Sequence, residues 1–385
     1  MKDKTTVKKE NDVKENVSKL GFSVIPANFR AIPSFEEKPG TGREYVNWGS
    51  DNKLPMYLWN LYINSALLNS IINGTVDYIS GNGVELNSAL SKFSEEVNEE
   101  GDTIEDLVRK LSVDYAIYDG FAFQVINDRG GELKELYWVD IRKCRLDEEE
   151  TKVYYCDKWA SSSFYGTNQA IEYPIWEPGT KAETSIYYFK GHHTRGIYPI
   201  PRYSGALASI ETSTEIGKFH LNNILNNMAS SAIISFNDGK PTEEERKQIE
   251  KKVREKFSGA DNAGKFLLTF NDSKEKAVTV ERLAEDKVDE KFQTLSKSTQ
   301  QEIFIAFRAT PELFGMSTEG NGFSKEEYLQ AFELYNKTVI SPAQKDIKRC
   351  FDKVFDTKDS ILFNTFSIYE NEDGETKINT TISNE

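Results

Sequence analysis

The chain has 385 residues, 38% of them hydrophobic, which is enough to bury the cores of two or three folding units. Its 62 acidic residues outnumber its 48 basic residues, giving a net charge of −14. This balance argues against tight DNA binding, since affinity for DNA comes mainly from neutralising phosphates. The three cysteines do not have the spacing of a metal site. The sequence contains no apolar run long enough to span a membrane, so we expect no membrane partner. Residues 1–44 are expected to be a mobile, solvated N-terminal arm.

The first part of the chain predicts two helices. Between Tyr57 and Gly83, apolar residues recur at three- and four-residue spacing, which is typical of a helix that ends at its glycines. A second helix is expected to begin at Thr103, whose hydroxyl can cap it, with Asp106 three residues later. We expect this helix to end at Gly120.

Residues 121–198 predict an irregular β-rich unit. Phe121–Asn127 and Leu133–Val139 alternate in a way typical of strands, and the Asp128–Gly131 segment between them is rich in turn-forming residues. Further short segments rich in aromatic and β-branched residues follow at Val153–Cys156, Ile171–Trp176 and Ser185–Phe189.

Two long helices are predicted on either side of a small α/β segment. The first runs from about Tyr203 to Ala229 and the second from about Glu285 to Ala309. The apolar stripe of the first is interrupted between Ile210 and Leu221, so it is suited to packing against copies of itself rather than inside a monomer core. The segment between them predicts a charged helix that begins at a Thr242/Glu245 capping box, and strands at Ala232–Phe236, Lys265–Phe270 and Ala277–Leu283.

The last third of the chain predicts a loop and a kinked helix. Thr310-Pro311 is expected to stop the second long helix, because a proline disfavours helical backbone in the residue before it. The glycine-rich stretch 315–322 predicts a flexible loop. A third long helix begins at a Ser324/Glu327 capping box, and Ser341-Pro342 is expected to kink or break it. The polar segment after it is expected to be partly extended.

Residues that could catalyse a reaction or bind a metal are not grouped in the sequence. His192 and His193 are adjacent, so in an extended segment they point to opposite faces, and His220 belongs to another element. Neither glycine-rich stretch contains the lysine and serine or threonine of a phosphate-binding loop. We therefore expect neither an enzyme nor a bound cofactor or metal.

The order of these parts resembles the portal family of tailed bacteriophages. The resemblance rests on several short sequence segments: Asn52-Lys53-Leu54-Pro55, Ile79-Ser80-Gly81-Asn82-Gly83, Pro201-Arg202-Tyr203-Ser204-Gly205-Ala206, Ala306-Phe307-Arg308-Ala309-Thr310-Pro311-Glu312-Leu313-Phe314-Gly315 and Ser341-Pro342. Thr310 stands where a valine is commoner in the family. The resemblance covers roughly residues 45–355, and the short segment that follows indicates that a large helical crown is absent or reduced.

The resemblance implies an α+β, portal-type fold with a wing, a two-helix stem, a small α/β clip and a kinked spine helix. The implied ranges are the wing (45–202), two stem helices (203–229 and 285–309), the clip between them (230–284), a tunnel loop (310–323), the kinked wing helix (324–355) and a C-terminal tail (356–385).

The resemblance also implies a ring, usually a dodecamer, at the portal vertex of the virion, through which double-stranded DNA is packaged and ejected. Implied partners are the large terminase, which docks on the clip, the major capsid protein and a head-tail adaptor, with assembly in the host cytoplasm. Residues that would face DNA are Ser317, Thr318, Glu319 and Asn321 in the tunnel loop, and Lys218 and Lys297 on the stem.

Two alternatives stay open at this point. Another phage assembly protein, such as a capsid or baseplate component, would not explain the small insertion between two long helices. A phage enzyme acting on nucleic acid would need a nucleophile or a group of metal-binding carboxylates, and the sequence shows neither.

Overall fold

The computed structural model describes residues 32–39, 44–159, 170–225, 232–236, 266–270, 288–316 and 325–364, together with residues 242, 244 and 248. In chain order, its regular elements are β1 (Lys38–Pro39), β2 (Val46–Asn47), α1 (Leu54–Asn64), α2 (Ala66–Ser80), β3 (Val84–Leu86), α3 (Ile104–Tyr118), β4 (Gly120–Asn127), β5 (Leu133–Val139), β6 (Cys144–Leu146), β7 (Lys152–Tyr155), β8 (Ile171–Pro174), β9 (Thr184–Lys190), α4 (Leu207–Leu225), β10 (Ala232–Phe236), β11 (Phe266–Phe270), α5 (Val288–Phe307), α6 (Lys325–Tyr335), α7 (Ser341–Val354) and β12 (Ile361–Phe363).

The predicted first helix is two helices, α1 and α2, because Ser65 between them has extended backbone. The Ser65 hydroxyl accepts a hydrogen bond from the Leu68 N–H at 3.3 Å and so caps α2. The Thr103/Asp106 capping box at the start of α3 is confirmed. The end of α3 differs from the prediction, because Asp119 takes the left-handed conformation (φ 59°) after Tyr118 and Gly120 already belongs to β4.

The central sheet has the strand order β5-β4-β9, with both pairings antiparallel. Its middle strand is almost continuously buried, because helices cover one face; Phe123 of β4 stacks on Phe351 of α7 with 5.5 Å between ring centroids. A second antiparallel sheet, β6-β7-β8, follows in the chain. The strands predicted between residues 121 and 189 are confirmed, with ends shifted by one or two residues.

Segments near both ends of the described chain pack into the fold, one against the prediction of a mobile arm and one in line with the prediction of a partly extended tail. The Glu37 carboxylate accepts hydrogen bonds from the N–H groups of Ile197 and Tyr198 at 2.9 and 2.8 Å. The arm predicted for residues 1–44 therefore does not include residues 33–39, which are held by satisfying backbone donors of the fold. At the other end, β12 pairs antiparallel with β3 and buries Ile361, so the predicted tail begins with a strand of the fold.

The two long helices α4 and α5 pack against each other, and we call them the stem pair. At their shared base, Tyr203 stacks on Phe307 with ring centroids 4.8 Å apart. The chain between them contributes β10 and β11, which pair in parallel. Most of the predicted helix after Thr242 lies outside the described residues, although Glu244 and Gln248 are described and helical. The predicted strand Ala277–Leu283 lies outside the described residues.

The kink predicted at Ser341-Pro342 is a π-helical turn, Asn336–Ile340, between α6 and α7. Proline has no N–H, and its ring collides with the carbonyl four residues earlier, here that of Thr338. The wider π turn accommodates this, and the Ser341 N–H bonds to the Asn336 carbonyl five residues back. The Ser324/Glu327 capping box lies partly outside the described residues.

Candidate functional site

The stem pair buries apolar side chains on one face near its base and leaves other apolar side chains exposed. Near the base, Ile210 of α4 and Ile303 of α5 are fully buried. Beyond it, Leu221 and Leu295 are 55% and 43% exposed in the isolated chain. Burying a leucine side chain is favourable by about 1.5–3 kcal/mol relative to leaving it in water. The exposed leucines are therefore suited to packing against another chain.

The two stem lysines predicted to face DNA both lie on the exposed surface of the stem pair. Lys218 Nζ is 2.7 Å from Glu215 Oε1, one helical turn away on α4. Such an exposed pair contributes only about 0.2–1 kcal/mol. The Lys218 charge is thus partly compensated within its own chain. Lys297 lies on the other helix of the pair, α5.

The first residues of the predicted tunnel loop (310–323) do not form a free loop but pack against the fold. After α5, residues Pro311–Phe314 form a 3-10 helix. The Phe314 ring lies against Gly74 of α2, where a Cβ atom would come within 2.7 Å of the ring. Phe314 also contacts Tyr335 edge to face, with centroids 6.0 Å apart. Glycine at position 74 is what lets the ring approach α2.

A single hydroxyl on α2 contacts both the start of the predicted tunnel loop and the helix that follows the loop, α6. Tyr78 donates a hydrogen bond to the Leu313 carbonyl at 2.9 Å and lies 3.3 Å from the hydroxyl of Tyr328 on α6. The start of the predicted loop and α6 are therefore held by the same side chain. The loop residues that the sequence predicted to face DNA lie outside the described residues: Ser317, Thr318, Glu319 and Asn321.

An ionic network with buried carboxylates and a partly exposed arginine joins the base of α4 to α3 and α7. Arg202 donates to Asp119 at 2.6 Å and lies 4.0 Å from Asp346. Tyr115 of α3 donates to Asp346 at 3.0 Å. Burial raises the pKa of Asp119, and the charges of Arg202 and His193 oppose that rise. Sequence reasoning missed this network, because its members come from four separate segments and carry no local motif.

The described residues offer no grouping of three or more histidines, cysteines, aspartates or glutamates that could hold a metal ion. Among the described helices, none has both the length and the apolar content needed to cross a bilayer.

The sequence matches the family described as "Phage portal protein" over residues 77–383. The chain belongs to the phage portal protein family. The predicted family and the predicted role as a portal channel protein are confirmed, and the family is a structural rather than an enzymatic class. No curated protein matches the chain.

Solved structures share the fold at low sequence identity. The "Virion of native gene transfer agent (GTA) particle" has a TM-score of 0.51 at 12% identity, covering 79% of this chain and 82% of that chain. The "Neck of native GTA particle computed with C12 symmetry" has a TM-score of 0.50 at 13% identity, covering 80% and 83%. An HK97 family phage portal protein from Corynebacterium diphtheriae has a TM-score of 0.47 at 9% identity, covering 79% and 93%.

Together with the family match, the gene transfer agent structures confirm the predicted α+β, portal-type fold. The residue ranges assigned to wing, clip and tunnel loop stay predictions.

Proposed function

We propose that twelve copies of this chain form a ring whose central channel passes double-stranded DNA into and out of a capsid. The observation that carries this proposal is the division of the stem pair into a buried base and a distal part with exposed leucines. Identical subunits that close into a ring contact each other head to tail, so each subunit presents two different faces. The gene transfer agent neck computed with C12 symmetry supports twelve as the number.

The acidic composition supports passage of DNA rather than adhesion. Twelve copies at −14 each carry a formal charge of about −170, a field that repels phosphates. DNA would otherwise be retained by each lysine or arginine that neutralises a phosphate. Local contacts are proposed to come from exposed Lys218 and Lys297 on the stem, and from the tunnel-loop residues Ser317, Thr318, Glu319 and Asn321.

The partners are proposed from the family's organisation. The clip (230–284) docks the large terminase during packaging and a head-tail adaptor afterwards. The wing (45–202) meets the major capsid protein. Rings assemble in the host cytoplasm and become part of the portal vertex of the virion.

The test is the substitution Leu221→Asp. A charge at this position would lie unpaired in the subunit contact, and burying it costs several kcal/mol for each contact, on the order of 2–7 kcal/mol for even a neutral polar group. We expect negative-stain electron microscopy to show no rings, while circular dichroism keeps the helical signal of the folded chain.

The matched control is Ile171→Asp, because Ile171 on β8 is 54% exposed and lies outside the stem pair. This variant is expected to form rings. Rings from Leu221→Asp would refute the stem contact, and loss of rings in both variants would show that the effect is not specific to the stem.

A further inference from the structure

Helices α1 and α2 contain no charged side chain. Charged residues make up 29% of the sequence, yet none lies between Lys53 and Asp77. The two helices pack against each other, and their inner sides are buried in the core of the same chain. Their outer sides therefore form a surface with no charged side chain of its own, which we call the neutral patch (the exposed surface of residues 54–76).

The neutral patch exposes large apolar side chains in the isolated chain. Met56 and Ile63 lie about two helical turns apart on one side of α1 and are 47% and 52% exposed. Trp59 lies between them in the helix, with the Arg142 guanidinium 4.0 Å and the Tyr62 ring 5.2 Å from the centre of its ring. A helix that is apolar on all sides is typical of a buried position, so the outer side of α1 is suited to being covered.

The polar side chains of the neutral patch are already hydrogen-bonded to groups of the same two helices. The Tyr62 hydroxyl donates to Oδ1 of Asn73 at 2.7 Å, and Nδ2 of Asn73 donates to Oδ1 of Asn69 at 2.9 Å. Nδ2 of Asn64 donates to the Asn60 carbonyl at 2.7 Å. Because a polar group is costly to bury mainly when it lacks a partner, these contacts lower the cost of removing water from the patch.

The charge of the whole chain indicates what covers this patch. Each copy has a net charge of −14, so two copies repel each other electrostatically, and the repulsion is weakest where the facing surfaces carry no charge. Permanent contacts between subunits have apolar cores that are depleted of charged residues, whereas contacts that form and separate are about as polar as the rest of a protein surface. The neutral patch therefore fits a second copy of this chain better than a partner that docks and leaves.

The position of the patch beside the stem pair favours the same occupant. Helix α1 packs against α4, the first helix of the stem pair. A subunit contact along α4 can therefore continue onto α1. In a ring of identical subunits each contact joins two different faces, so the patch of one copy meets a different surface of the next copy.

We propose that the neutral patch is a subunit contact within the proposed ring, on which this inference rests, and that a neutral, apolar surface of the next copy covers Met56, Trp59 and Ile63. These side chains lose contact with water when the ring forms and regain it when the ring dissociates. Burial of apolar surface stabilises the contact, and no ion pair has to form across it.

A second exposed isoleucine provides a matched comparison. Ile171 on β8 is 54% exposed, almost the same as Ile63. It lies beside charged side chains, because Glu172 follows it and forms an ion pair with Lys152 at 2.9 Å. Exposure alone would predict that both isoleucines are covered in the ring, whereas the absence of charge predicts this for Ile63 only.

The experiment is thiol labelling of the full-length chain with a maleimide, comparing Ile63→Cys with Ile171→Cys. All three natural cysteines are buried, so the introduced thiol is the accessible one. Assembled and monomeric fractions are separated by size-exclusion chromatography. In the monomeric fraction the two variants are expected to react at similar rates. In the assembled fraction Ile63→Cys is expected to react at least about tenfold more slowly than Ile171→Cys, because the contact must open first.

Equal labelling of the two variants in rings seen by electron microscopy, whether fast or slow, would overturn the neutral patch and leave the proposed ring intact. Protection of Ile63→Cys in an oligomer that is not a ring would support the contact and refute the ring. A wild-type chain that stays monomeric would refute both. Loss of assembly in Ile63→Cys alone, with the helical signal kept in circular dichroism, would support the contact. If Ile63→Cys does not fold, Met56→Cys takes its place with the same expected protection.

Discussion

Apolar side chains are buried in the helix–sheet core, whereas several are exposed in the stem pair. In the core, Leu68 of α2, Leu107 of α3 and Phe121 of β4 are completely buried by elements of the same chain. In the stem pair, Leu221 and Ile305 are 55% and 74% exposed, although both belong to long helices. The difference shows that the core is complete in one chain, while the stem pair leaves apolar surface for other chains to cover.

Charged side chains follow the same division. Arg145 is 1% exposed, and its guanidinium donates to the Asn52 and Cys144 carbonyls and lies over the ring of Trp159. A charge can be buried there because each nitrogen of the guanidinium group donates a hydrogen bond. On the stem pair, the Lys218 and Glu215 side chains remain in water, where their attraction is weak.

The largest expected effect compares one leucine from each region. Leu68→Ala should lower the free energy of unfolding by about 2–5 kcal/mol, because it leaves a cavity in a closed core. Leu221→Ala should change it by less than about 0.5 kcal/mol in the dissociated chain, because no buried contact is lost. Urea denaturation followed by circular dichroism measures both free energies. Similar losses for the two variants would contradict the difference in burial between the core and the stem pair.

A smaller loss of stability is expected where Tyr78 of the core hydrogen-bonds the start of the predicted tunnel loop. Tyr78→Phe should cost about 1 kcal/mol, because the Leu313 carbonyl loses its donor. Tyr335→Phe is the matched control. Among the described residues its hydroxyl hydrogen-bonds the Thr75 hydroxyl, which still donates to the Ile71 carbonyl. Thermal unfolding compares the two, and a larger loss for Tyr335→Phe would show that Tyr78 is not the stronger anchor.

The smallest effect should come from the stem charges. Glu215→Gln removes the partner of Lys218 and should change the free energy of unfolding by less than about 0.5 kcal/mol. The change should shrink further in about 1 M salt, which screens exposed charges. A loss above 1 kcal/mol in urea denaturation of the dissociated chain would mean that the stem pair carries a buried ion pair, contrary to its exposure.

Local features of the chain were predictable from the sequence because their causes lie within a few residues. The Thr103/Asp106 capping box needs only a helical turn, and the β4–β5 hairpin follows from alternation on both sides of a glycine-rich turn. The disturbance at Pro342 follows from the missing N–H of proline, although its π-helical form was not foreseen. The order of these elements was sufficient to indicate the family.

Tertiary structure alone decided the contacts between distant segments. Tyr115 and Asp346 are 231 positions apart, and nothing in the spacing of either residue indicates the other. The same holds for Glu37, which bonds the backbone 160 positions away, and for the pairing of β3 with β12. Periodicity reports which face of an element is apolar, but not which distant element covers it. The exposed Leu221 and the enclosed Asp119 therefore became distinguishable only once the chain was folded.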